Sequence, residues 1–264
     1  MRVYLAAVEM YNLSGAKCVW RGPTDDIYLL SSFWRHNEFR RFGSYVYQEK
    51  HMLDSGAFTA INDKAGRYRT LDWDAYLTAY IAFVKQTKQR LFFELDIDCV
   101  VGYAKVRDYT KRIEDSVGRQ PIPVWHEERH LEGFLEMCER YKYVAVGSIV
   151  RGKLAKNPRY LKWFIDRAHE RGCQIHGLGF TDIRWLPKLP FDSVDSSSWL
   201  MVGKYGNVNR FAHDGAEHSL EIVGYEDRRL GHWNRPYSYS FAEWVKFQKW
   251  AERNLGPITA TSKG

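Results

Sequence analysis

The chain has 264 residues, 45% hydrophobic and 27% charged, with a formal net charge of +7 when histidines are neutral. That length suits one large domain spanning 1–264, and no apolar run approaches the roughly 20 residues of a membrane span. The four cysteines, Cys18, Cys99, Cys138 and Cys173, are far apart, which excludes a CxxC-type zinc knuckle and gives no basis for a disulfide framework.

Taken in chain order, eight segments have strand character: Val3–Val8, Ile27–Ser32, Lys50–Leu53, Leu91–Asp96, Ile122–Trp125, Val144–Ser148, Gln174–Leu178 and Ser193–Asp195. Several are continuous apolar runs, as expected of strands covered on both faces. Residues 9–25 and 33–49 show no clean helical stripe. Trp73, Tyr76, Leu77, Tyr80, Ile81 and Val84 then recur at helical spacing, as do Leu131, Phe134, Leu135 and Cys138. Asn157 and Pro158 predict a helix start, Leu161, Phe164, Ile165 and Ala168 its buried face, and Gly172 its stop. Residues 200–238 have little periodicity and read as an insertion after strand eight. Ser240 with Glu243 predicts a capping box before the last helix. Strands alternating with helices predict an α/β fold, a single (β/α)8 TIM-type barrel that is irregular in its first two units.

The strand ends carry the polar residues. Asp54 precedes Ser55-Gly56; it is either a turn aspartate bonding its own backbone or a catalytic carboxylate at the end of strand three. Asp96 and Asp98 flank Ile97, and Glu94 shares their parity, so a continuing strand would point all three acids to one side. Such a cluster needs partners or a ligand: a metal ion is one resolution, though no histidine accompanies the acids, and a purine N–H edge read by a carboxylate is another. Asp195 ends strand eight, as an Asx-turn or as a nucleophile. Two carboxylates at strand ends of one barrel are the minimum for breaking a glycosidic bond, one attacking the anomeric carbon and one handling protons. Gly147, Ser148, Gly177 and Gly179 offer close backbone approach to a flat ligand, or simply barrel packing. His126 and His176 also sit at strand ends, as base or phosphate binders or as satisfied interior histidines. The recurrent basic residues read as solvated helix faces or as phosphate contacts; Arg151, Lys153 and Lys156 directly follow a strand end, where they would meet phosphates.

Five of these segments together resemble the tRNA-guanine transglycosylase superfamily over residues 50–200. Leu53-Asp54-Ser55-Gly56-Ala57-Phe58 resembles its DSGGF motif, with Ala57 in place of the second glycine. Phe93-Glu94-Leu95-Asp96 resembles the segment whose aspartate binds the base. Val144-Ala145-Val146-Gly147-Ser148 resembles its Gly-Gly-Leu base-recognition segment, Gly177-Leu178-Gly179 its Met-Gly-Val-Gly strand, and Phe191 to Ser196 the segment ending in the nucleophilic aspartate. The tRNA enzymes carry a C-x-C-x-x-C…His zinc site after the nucleophile, whereas residues 200–264 hold no cysteine. That absence and the short chain resemble the phage and bacterial paralogues that place 7-deazaguanines in DNA.

The resemblance implies a pentosyltransferase with Asp195 as nucleophile and Asp54 as acid/base. It places Asp96 or Asp98, His126, Gly147, Ser148, His176, Gly177 and Gly179 around the base. It implies no metal or other cofactor, a DNA rather than tRNA partner, and a 7-deazaguanine as incoming base. A homodimer or an accessory subunit is compatible with the sequence. The N-terminal apolar run is too short for a signal peptide, so the expected location is the cytoplasm, the host's if phage-encoded. The competing readings are a barrel N-glycosidase or hydrolase using the same carboxylates, a transglycosylase acting on tRNA, and a noncatalytic nucleic-acid-binding module.

Overall fold

A computed structural model describes residues 1–10, 26–35, 50–62, 66–147, 157–205, 207–214, 217–224 and 234–256. The strands are β1 (Arg2–Ala6), β2 (Leu29–Ser32), β3 (His51–Asp54), β4 (Leu91–Phe92), β5 (Val124–Trp125), β6 (Tyr143–Val146), β7 (Gln174–Gly177) and β8 (Ser193–Ser196). All eight expected strands are present, within a few residues of their expected ends. β1 pairs in parallel with β2 and with β8, and the remaining strands follow in chain order. Only β4 and β5 lack a regular ladder. A parallel bridge between Phe93 and Ile122 joins them, with Ile122 N–H donating to Phe92 O at 2.8 Å and Glu94 N–H to Ile122 O at 3.0 Å. The sheet is therefore curled, all parallel and barrel-like.

The helices are α1 (Ala57–Ile61), α2 (Trp73–Thr87), α3 (Asp98–Val101), α4 (Tyr103–Val117), α5 (His130–Arg140), α6 (Arg159–Glu170), α7 (Ser198–Met201) and α8 (Asn234–Asn254). Alternation along the strands divides the core in two. Tyr4, Ala6, Leu30, Met52, Phe93, Val124, Tyr143 and Ala145 form an inner cluster. Their neighbours Val3, Leu5, Leu29, Val144, Ile175 and Val194 pack outward with Phe134, Leu161, Phe164 and Phe241 of the helices. On the other side Leu53 and Phe92 meet Trp73, Leu77, Tyr80 and Val84 of α2 and Ile113 of α4.

Local signals explain the helix ends. Asp72 caps α2, its side chain accepting from Ala75 N–H at 3.0 Å. Asn157 Oδ1 accepts from Arg159 N–H at 3.2 Å, and Gly172 lies at φ 65° just past the end of α6. Leu131, expected on the buried stripe of α5, is 47% exposed, because the buried face of the helix runs through Gly133, Phe134, Met137 and Cys138. Of the two irregular units, the described parts are single 3-10 turns at Val8–Met10 and Phe33–Arg35.

Two expectations near the C-terminus need correction. Residues 207–224 are not aperiodic. Within them, β9 (Asn207–Asp214) pairs antiparallel with β10 (Glu217–Gly224). Nor do Ser240 and Glu243 start a helix, because α8 begins earlier, at Asn234. Their side chains instead accept from the N–H groups of Asn209 (3.0 Å) and Phe211 (2.9 Å) on β9. The strand edge left open by this pair needs acceptors, and a helix carrying Ser and Glu three residues apart supplies them. Farther along α8, Gln248 Nε2 donates to Val3 O (2.6 Å) and Tyr28 O (2.9 Å), fastening the last helix to the first two strands. Among the described residues no helix is long and apolar enough to cross a membrane.

Candidate active site at the barrel mouth

On β3, Met52 and Asp54 share a parity, and Met52 belongs to the inner cluster, so Asp54 faces the barrel axis at the C-terminal end. The Ser55-Gly56 turn then folds the chain sharply. Gly56 lies at φ 82°, and a Cβ there would meet Trp34 Cβ at 2.5 Å, so only glycine fits. Gly56 N–H donates to Asp54 Oδ2 at 3.0 Å. Asp54 is thus an Asx-turn acceptor and a mouth carboxylate at once.

Ser55 Oγ donates to Asp96 Oδ1 at 3.2 Å, and His126 Nε2 lies 3.2 Å from Asp96 Oδ2. Asp54, Asp96 and His126 therefore belong to one constellation. Asp54 is driven up to about 8, first by loss of water, then by the charge of Asp96, with smaller pushes from Asp195 and Glu9; the Gly56 N–H works in the opposite direction. Burial disfavours the charged form of His126, but the hydrogen bond and charge of Asp96 outweigh it and raise its pKa.

Gly147 is needed for this arrangement. A Cβ there would lie 2.4 Å from Cε1 of the His126 ring. The flat group that this glycine admits is, in this structure, the imidazole of His126.

Asp195 stands on the inward face of β8 and is 7% exposed. Its Oδ1 accepts from Gly179 N–H at 2.8 Å and lies 3.1 Å from His176 Nε2. Gly179 holds φ 69°, which aims its N–H at the carboxylate. Gly177 serves packing, since a Cβ there would meet the Phe191 ring at 3.1 Å.

Asp96 and Asp98 part company. The regular strand ends at Phe92, and Asp98 opens helix α3, so the shared parity expected of Glu94, Asp96 and Asp98 does not hold. Arg129 takes the other two acids. Its Nε and Nη2 donate to Asp98 at 2.9 and 2.7 Å, and its Nη1 to Glu94 Oε1 at 2.6 Å. Glu94 also accepts from Thr110 Oγ1 (2.7 Å) and Val124 N–H (2.8 Å). All three side chains are nearly inaccessible. This is a buried ion network joining the segment after β4, α3 and the turn before α5, separate from the Asp54 constellation.

Ser148, Arg151, Lys153 and Lys156 lie outside the described residues. Among the described residues no group of three or more His, Cys, Asp or Glu is placed to share a metal ion.

Two mouth residues escaped the sequence reading. Glu9 follows β1, is 3% exposed and acts electrostatically on Asp54. Ser32 ends β2 opposite Asp54 in register, and its buried Oγ has no hydrogen-bond partner among the described residues. Their signal was position: each stands at the C-terminal end of a strand, as Asp54 and Asp195 do.

The arrangement supplies a carboxyl group able to hold a proton near neutral pH, beside a second carboxylate with one oxygen held by two donors. That pair can open and remake a bond at an electrophilic carbon. The sequence matches no protein-family model and no curated protein.

Proposed function

We propose that the chain is a base-exchanging glycosyltransferase that replaces guanine in a nucleic acid by a 7-deazaguanine. The observation that carries this reading is the shared mouth of Asp54 and Asp195, with Asp54 held protonated near neutral pH while Asp195 is fixed by two donors. The resemblance of five strand-end segments to guanine transglycosylases supplies the substrate class.

The residues assign the steps. The target nucleotide is first taken out of the stack. A lone pair on Asp195 attacks C1′, and the C1′–N9 pair leaves with guanine, which takes the proton of Asp54. The incoming base returns its N9 proton to Asp54 and attacks C1′ with the freed pair, expelling Asp195. In this reading Asp96, with the His126 ring lying against Gly147, takes the polar edge of the base. The second displacement restores the configuration at C1′ and both carboxyl groups to their starting states.

DNA is the favoured polymer, because residues 200–264, which follow the nucleophile segment, hold no cysteine where the tRNA enzymes that the chain resembles carry their zinc ligands. Labelled guanine incubated separately with single-stranded DNA, duplex DNA and tRNA tests the reading. The expected result is label in DNA with wild-type protein and none with Asp195→Asn. Label in tRNA alone would overturn the polymer. Free guanine released without incorporation would favour the hydrolase reading, and unchanged exchange by Asp195→Asn would remove the nucleophile.

A further inference from the structure

His176 is completely buried on β7, inside the barrel and beneath Asp195. Three polar side chains line up below it. The Tyr143 hydroxyl contacts Ser193 Oγ, Ser193 Oγ contacts His176 Nδ1, and His176 Nε2 lies 3.1 Å from Asp195 Oδ1. Ser193 and Asp195 sit two apart on β8, so both face inward. The row therefore runs up the barrel axis from Tyr143 to the carboxylate at the mouth.

Its polarity follows from donor counting. The Asp195 carboxylate can only accept, so with a neutral ring Nδ1 accepts from Ser193, and Ser193, its single proton spent, accepts from Tyr143. The imidazole then carries its proton on Nε2 and donates to Asp195. Each hydroxyl and ring proton in the row has one acceptor. Oδ1 receives a second donor, the Gly179 N–H at 2.8 Å, whereas Oδ2 takes no hydrogen bond from any described residue.

We propose that His176 is a positioning residue that, with Gly179, holds Oδ1 of Asp195 and thereby commits Oδ2 as the attacking oxygen. The assignment rests on the transglycosylase reading of Asp195 and moves His176 from base contact to control of the nucleophile. An aspartate free to rotate about χ2 offers two oxygens in many orientations, whereas one held through Oδ1 presents Oδ2 toward C1′. A purely structural histidine needs no such alignment with the nucleophile.

His176→Met removes the donor while keeping an apolar filler, and His176→Gln keeps a donor. The exchange assay should give kcat lower by about 10- to 100-fold for His176→Met, the size of one lost hydrogen bond to a charged oxygen. KM for the nucleic acid should stay within about twofold, and His176→Gln should recover most of kcat. Imidazole 15N NMR of the wild-type protein reads the row without turnover: it should show the proton on Nε2, and Ser193→Ala should shift the Nδ1 resonance. A His176→Met enzyme with wild-type kcat, a loss that His176→Gln fails to recover, or an imidazole protonated on Nδ1 alone would overturn the assignment. A wild-type protein without exchange activity, yet showing the Nε2 proton, would defeat the transglycosylase reading instead, and with it the role in catalysis.

Discussion

Asp54 shows how much of a residue's chemistry comes from its surroundings. Its place after a short apolar run and before Ser-Gly is legible in the sequence, and so is that of Asp195. Its charge state is not, because that depends first on burial within the assembled barrel and then on Asp96, Asp195 and Glu9, brought to it from β8 and from the segments after β4 and β1. A carboxyl whose folded-state pKa is raised binds a proton that the unfolded chain has already lost. Between about pH 4, the ordinary value, and about 8, stability therefore falls as pH rises, ideally by about 1.4 kcal/mol per pH unit. Asp54→Asn removes that titration. The variant should equal wild type near pH 4 and exceed it by roughly 2 kcal/mol at pH 8, the half-open mouth screening part of the ideal slope. Urea unfolding at the two pH values measures this; a variant less stable than wild type at pH 8 would show that the crowded carboxyl is not under strain. The same raised value predicts that the first displacement in the wild type slows as pH rises through about 8.

At the scale of elements, the strand pattern was readable because buried parallel strands are short apolar runs that few other structures require. What it hid was set by partners distant in sequence. The parity argument for Glu94, Asp96 and Asp98 assumed a longer β4. Arg129, more than 30 residues downstream, instead draws Glu94 and Asp98 into a buried network and leaves Asp96 to the mouth. The β9–β10 pairing had its own signal, a glycine at position 215 between one run carrying Val208 and Phe211 and another carrying Leu220, Ile222 and Val223, masked by the abundance of polar residues around it. Glu94 joins α4, β5 and the turn before α5 through Thr110, Val124 and Arg129. Glu94→Ala leaves the guanidinium with Asp98 alone and the Val124 N–H without its acceptor. It should cost about 3–5 kcal/mol, as breaking a buried pair from one side does. A denaturation midpoint within error of wild type would contradict a structural role and return Glu94 to the list of site candidates.

At the scale of the molecule, the barrel gathers residues separated by 141 positions, Asp54 and Asp195, at one end of one sheet. The sheet closes with the least regular pairing between β4 and β5, and the segments after those two strands carry Asp96 and His126. The last helix is tied through Gln248 to Val3 on β1 and to Tyr28 just before β2. The central claim is a covalent link between Asp195 and C1′ of a nucleotide. Incubation with a guanine-containing DNA strand and no free base, followed by denaturation and mass mapping of peptides, tests it most directly. The expected result is a sugar-linked strand esterified on the peptide bearing Asp195, absent from Asp195→Asn and discharged when free base is added. Turnover of the strand with no such adduct, or an adduct on another residue, would contradict it.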